Sequence, residues 1–160
     1  MNSKNTLRAL FILLLATIVA TTQPSSAIAP DKGPNASGEG EVTFLLLTEV
    51  DRVDFSFNVK VNKNGKAKGW ARFDNLSTQT QVVVKIDCAI ITSFVAQMSG
   101  TVQHSDDPAF PKDANVAFTA TDSHPGFGDS ITPLVVTPSS DCEPVLGLRP
   151  LVFGDIRIEP

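Results

Sequence analysis

The sequence predicts an all-β protein, and three observations carry that expectation. From Glu41 onward apolar residues recur at every second position and no window carries a helical stripe. The apolar positions are filled mainly by Val, Ile and Phe, which suit a pleated, half-buried surface. Gly, Asn, Asp and Pro punctuate these stretches at the spacing of hairpin turns and short loops. Together they predict a single-domain antiparallel β-sandwich or partly closed β-barrel of about eight strands. Alternation alone leaves both architectures open, because strand order is not written in periodicity.

The first strand is expected over Glu41 to Val50. The clearest follows at Arg52 to Asn62, where Val53, Phe55, Phe57, Val59 and Val61 share one face and Arg52, Asp54, Ser56, Asn58 and Lys60 the other. Asn62-Lys63-Asn64-Gly65 supplies turn chemistry, and Lys66 to Asp74 returns as the hairpin partner. A two-residue Asn64-Gly65 loop would pair Val59 with Trp70 and turn Lys68 and Arg72 onto the core face. A three-residue Lys63-Asn64-Gly65 loop pairs Val59 with Gly69, Phe57 with Ala71 and Phe55 with Phe73. The second register keeps the cations in water and is preferred.

Gln79 to Ile91 is the next strand, with Val82, Val84, Ile86 and Cys88 on its inner face. Phe94 to Gln103 turns Phe94, Ala96, Met98, Gly100 and Val102 inward, and Asn115 to Thr121 turns Val116, Phe118 and Ala120 inward. Ser130 to Thr137 is a strand weakened by Pro133, which cannot donate to a ladder. Leu151 to Ile158 closes the chain with Ile156 and Ile158 facing in.

Residues 1–27 read as an export signal. Lys4 and Arg8 precede the apolar run Ala9 to Ala20, and Ser25-Ser26-Ala27 offers small residues for cleavage after Ala27. The run is too short to span a bilayer, so the expectation is a secreted or periplasmic protein with no transmembrane segment in its mature chain. Residues 28–40, rich in Pro, Gly and small polar residues, read as a flexible leader, and 41–160 as the secreted β domain. Residues 1–27 hold two of the 13 basic and none of the 17 acidic residues, so the remaining 133 residues carry a net charge of about −6. That balance argues against nucleic acid or an anionic membrane as partner. Cys88 and Cys142, the two cysteines of the chain, are expected to form a structural disulfide in an oxidising compartment.

The ordered set VDFSFNVKVNKNGKAKGWARF, VVVKIDCAI, VAQMSGTV, FTATDSHPGFGDSITPLV and FGDIRIE resembles a group of small secreted bacterial all-β proteins of unknown function. That group shares an F-x-F-N-V-K strand, a K-G hairpin return, a D-x-x-x-P-G-x-x-D loop and a terminal G-x-I-x-I strand. The resemblance spans residues 41 to 159. It implies a secreted single-domain β protein and implies no catalytic residues.

Trp70 is the leading candidate for function. In the preferred register it lies on the wet face between Lys68 and Arg72 and beside Asn58, where an indole can stack on a sugar ring or anchor a protein partner at the cell envelope. The alternative is an indole packed beneath a loop. Asp122, His124 and Asp129 bring two carboxylates and an imidazole into one loop, which suits either a Ca²⁺ site or an Asx-type turn whose carboxylates bond backbone N–H groups. His104-Ser105-Asp106-Asp107, with Asp113 nearby, invites the same two readings. A hydrolase would need His104 or His124 as its base, and the chain carries no G-x-S-x-G, H-E-x-x-H or phosphate-binding glycine loop. The leading expectation is therefore a non-enzymatic protein without a cofactor that acts by surface contact. Its alternative is a carrier enclosing an apolar molecule among Phe55, Phe57, Phe73, Met98 and Phe118. The oligomeric state is open.

Overall fold

Nine antiparallel strands make up the secondary structure of the described residues, and eight of them close into a barrel. The structure, a computed structural model, describes residues 33–46, 49–123 and 128–160. The expected signal, residues 1–27, and the first part of the leader lie outside them. The strands are β1 (Asn35–Leu46), β2 (Glu49–Val61), β3 (Ala67–Asn75), β4 (Thr80–Ile91), β5 (Val95–Ser105), β6 (Asn115–Thr121), β7 (Ser130–Ile131), β8 (Val135–Val136) and β9 (Arg149–Glu159). Strands β1 to β6 form a meander, β7 continues along β6, and β9 inserts between β7 and β1. A closed barrel leaves each wall strand paired on both sides.

Alternation places the core on the inside of this wall. Val53, Phe55, Phe57 and Val59 of β2, Ala71 and Phe73 of β3, and Val82, Val84 and Ile86 of β4 are all buried. The rings of Phe57 and Phe73 meet Phe118 edge-on, with centroids 5.7 and 5.1 Å away, and Phe55 stacks beside Phe57 at 6.2 Å. Together with fully buried Met98 they fill the barrel centre.

The β2–β3 hairpin has the three-residue loop and the register expected from keeping the lysines wet: Phe55 faces Phe73, Phe57 faces Ala71 and Val59 faces Gly69. Asn62 organises the turn, its carbonyl accepting from Gly65 N–H and its side-chain oxygen from the N–H groups of Asn64 and Lys66. Gly65 adopts φ 74°, the conformation that closes such a loop.

Several expectations are corrected. Strand β1 begins at Asn35, so Asn35 to Gly40 belong to the wall and not to a flexible leader. Their composition misleads because the inner face needs small residues there; a Cβ on Gly38 would press into the Phe57 ring and Ile156. Glu41 to Val50 is not one strand: Glu41 to Leu46 ends β1, and Glu49 and Val50 open β2. Phe94 precedes β5 and is 51% exposed, where an inward position was expected.

Cys88 is a further correction, because it faces outward. A bulge at Asp87 shifts the ladder, pairing Ile86 with Gly100 but Cys88 with Ser99 and Ala89 with Met98. One extra residue exchanges the two faces of a strand, so Ala89 and Ile91 take over the packing against the core. The Cys88–Cys142 disulfide is therefore formed on the outer wall. It ties down the segment between β8 and β9, which bonds the wall through Ser99 Oγ to the Ser140 carbonyl (2.6 Å) and through Val145 N–H to Thr119 Oγ1 (3.1 Å). Ser99, Ala117 and Thr119 are consequently buried although they point away from the barrel interior.

Pro133 interrupts the expected strand from Ser130 to Thr137 and leaves β7 and β8 as two short pieces along one edge of β6. Buried Thr132 bridges the break, donating its N–H to the Thr119 carbonyl while its hydroxyl accepts Thr119 N–H, both at 2.9 Å.

Candidate functional site

Strand β3 presents Lys68, Trp70 and Arg72 outward because Gly69, Ala71 and Phe73 are taken by the interior. The expected grouping with Asn58 is present: Asn58 stands directly across from Trp70 on β2. On the other side Trp70 faces Lys85 of β4. The indole is 48% exposed, so it is supported at its base by the sheet and open at its outer edge. Arg72 is held by Asp74, Nε to Oδ2 at 2.7 Å, and Gln81 donates to the other oxygen of Asp74 at 2.9 Å. Lys85 is similarly held by Asp87 at 2.6 Å.

Trp70 lines one depression, and its neighbours Lys68 and Lys85 line another. The first, about 410 Å³, is floored by small polar residues, Ser37, Ser56 and Asn58, and bounded by Glu39, Asp155 and Arg157. Asp155 and Arg157 pair with each other at 2.8 Å. The second, about 920 Å³, opens at the barrel end beside the β2–β3 turn and is lined by Lys60, Lys66, Lys68 and Lys85, with Asp87 and Glu159. Lys60 stands directly opposite Lys68 in the ladder.

Lys60 and Lys85 were not singled out with Trp70 by reading the sequence. The first was within reach, since pairing Val59 with Gly69 obliges Lys60 to face Lys68. The second depends on the β3–β4 register, which the turn after Asn75 sets and alternation does not.

The remaining candidates lie elsewhere. Asp122 and Asp129 direct their carboxylates at the backbone: Asp129 accepts from Ser123 N–H (3.1 Å) and Ile156 N–H (2.6 Å), and Asp122 from Ile158 N–H (3.1 Å). His124 lies outside the described residues. His104 is exposed on the outer wall, with Nε2 3.4 Å from Asp106 Oδ1. Ser105 and Asp107 bond each other across a tight turn, and Asp107 accepts Ala109 N–H at 2.8 Å. Among the described residues no group of three or more His, Cys, Asp or Glu side chains could hold a metal ion.

A different charged contact anchors the opposite end of the outer wall. Arg52 grips Glu41 with two hydrogen bonds, Nε to Oε1 at 2.8 Å and Nη2 to Oε2 at 2.6 Å. That contact holds the Glu41 carboxyl below the usual carboxylate range, against the opposing effect of its burial. Beyond it, an apolar cleft of about 290 Å³ opens at the barrel mouth between Phe44, Val53, Phe73, Phe110 and Leu134, with Asp51, Asn75 and Thr80 at its rim.

Among the described residues no helix is long and apolar enough to cross a membrane. Comparison with protein-family models, with curated proteins and with solved structures finds no match to this chain.

Proposed function

We propose that this is an exported, non-enzymatic binding protein that recognises a glycan of the cell envelope through the outer wall of β1 to β4, with Trp70 as the stacking platform. The observation that carries this reading is the setting of Trp70: half-exposed, fixed on a central strand, and flanked by Asn58, Lys68, Arg72 and Lys85 beside a polar groove. An aromatic ring seated on a rigid strand binds at little cost in conformational entropy. Polar groups at its edges then supply the orientation that stacking alone lacks. The packed rings of Phe57, Phe73 and Phe118 favour action at the surface over storage in the barrel centre.

The chain contains one Trp and no Tyr, so its intrinsic fluorescence reports on this site alone. Titration of the protein with envelope oligosaccharides should quench or shift that emission and do so saturably. Emission indifferent to neutral and charged glycans alike, with no heat of binding by calorimetry, would refute the reading.

A second reading is favoured by the cleft at the barrel mouth. Its apolar walls and uncharged or acidic rim suit a small apolar molecule with a neutral or cationic head. An environment-sensitive naphthyl probe, displaced by long-chain amines and blocked by Phe110→Trp, would support that use of the cleft.

A further inference from the structure

The cations around Trp70 fall into two groups. Arg72, Lys85 and Arg157 each have a carboxylate at salt-bridge distance, supplied two positions away on the same strand. Lys60 and Lys68 have none among the described residues, although they stand directly opposite each other on neighbouring strands. Like charges placed directly across a ladder are destabilising, and this chain has more acidic than basic residues from which a partner could have been drawn. The larger depression, which both lysines line with Lys66, carries two carboxylates, and both are engaged: Asp87 with Lys85, and Glu159 with the Asn35 amide at 2.9 Å.

Lys68 and Trp70 share a face two positions apart, a separation of about 7 Å along a strand. A cation pair and an indole at that distance can address one ring of a sugar chain and the acidic substituent of its neighbour. Lysine supplies a compact charge on a flexible stem, which suits carboxylates presented at varied angles.

We propose that the ligand is an acidic glycan, its sugar ring stacked on Trp70 and its carboxylates held by Lys60 and Lys68 at the mouth of the larger depression. This deepens the function proposed above and rests on Trp70 being a glycan platform. Binding would relieve the repulsion between the two lysines, so affinity should come chiefly from charge.

The test uses an oligogalacturonate and its fully methyl-esterified form, which share rings and linkages but differ in charge. Binding is followed by Trp70 emission and by calorimetry. The acid form should bind at least tenfold more tightly than the ester. That advantage should fall steeply with added salt and vanish in the Lys60→Gln/Lys68→Gln variant, while Lys112→Gln, on a distant loop, binds as the parent does. Equal binding of acid and ester, unchanged in the double variant, would overturn the acidic-glycan assignment and leave Trp70 as a platform for neutral sugars. Lysine-dependent heat from the acid form with silent Trp70 emission, or no binding of either form, would overturn the platform and this inference with it.

Discussion

Cys88 and Ser99 stand opposite each other on the outer wall of the barrel, one step out of phase with the alternation that buries Val82, Val84 and Ile86. The disulfide to Cys142 therefore clamps an outer segment onto β5 and β6 and does not link two core strands. It closes a loop with a sequence separation of 54, worth about 4 kcal/mol in the chain-entropy description. Replacing both cysteines by Ala should lower unfolding stability in urea by that order. Exchange of the Val145 amide should speed up far more than exchange in β2 and β3. Uniform acceleration across all strands would show that the disulfide supports the barrel as a whole.

The Glu41–Arg52 contact makes stability pH-dependent. The folded-state pKa of Glu41 lies below that of a free glutamate, chiefly because Arg52 donates to its carboxylate. A lowered folded pKa contributes stability that is complete above the unfolded value and lost as pH falls through the folded one. Urea midpoints measured from neutral pH downward should hold until about pH 4.5 and then decline. Glu41→Gln should start lower and remove part of that acid dependence; an unchanged pH profile in the variant would assign the acid sensitivity to other carboxylates.

The β2–β3 register could be read from the residues because a wrong register would bury Lys68 and Arg72, a penalty large enough to decide the matter. The face of Cys88 could not, because hydrophobic alternation does not mark the bulge at Asp87. The start of β1 was hidden for the opposite reason: Asn35 to Gly40 look like a linker in composition, yet Gly38 is required by close contact with Phe57 and Ile156. Alternation put Lys68, Trp70 and Arg72 on one face, and the β2–β3 register added Asn58. Lys85 was missed, because joining it to them needs the β3–β4 register, which no charge penalty fixes.

Gly100 sits on the inner face of β5 between Ile86 and Val116. A Cβ there would run into the Lys85 carbonyl and the Ile86 Cα, both backbone atoms. The wall must therefore move to admit it, and overpacking of this kind costs about 1–3 kcal/mol. Gly100→Ala should lose stability in that range, measured by urea denaturation, whereas Gly65→Asn in the exposed turn should lose much less. A neutral Gly100→Ala would mean that β4 and β5 separate more easily than their ladder indicates.

Trp70 contributes little to the core from its half-exposed position. Trp70→Phe should change unfolding free energy by less than about 1 kcal/mol, in the range of surface substitutions. In the parent, acrylamide should quench the native emission efficiently. Strong protection from acrylamide would place the indole under a covering segment and remove it as a platform.

Asp129 holds the seam where β9 meets the rest of the barrel. Strand β9 pairs with β7 only at Arg149 and Pro150, and past the backbone bond from Leu151 N–H to the Asp129 carbonyl, carboxylates take over. Asp129 accepts from both Ser123 and Ile156, and Asp122 accepts from Ile158. Hydrogen bonds to a charged acceptor contribute about 1.5–3 kcal/mol each. Asp129→Ala should therefore cost about 3 kcal/mol or more and open β9 first, seen as faster exchange of the Ile156 and Ile158 amides. Asp129→Asn keeps one oxygen but turns an amide donor toward the second N–H, so its cost should be intermediate. Because these oxygens already face backbone donors, Ca²⁺ in place of EDTA should leave the melting temperature unchanged. A clear rise with Ca²⁺, abolished in both Asp129 variants, would mean that the carboxylates leave the strand to bind the ion.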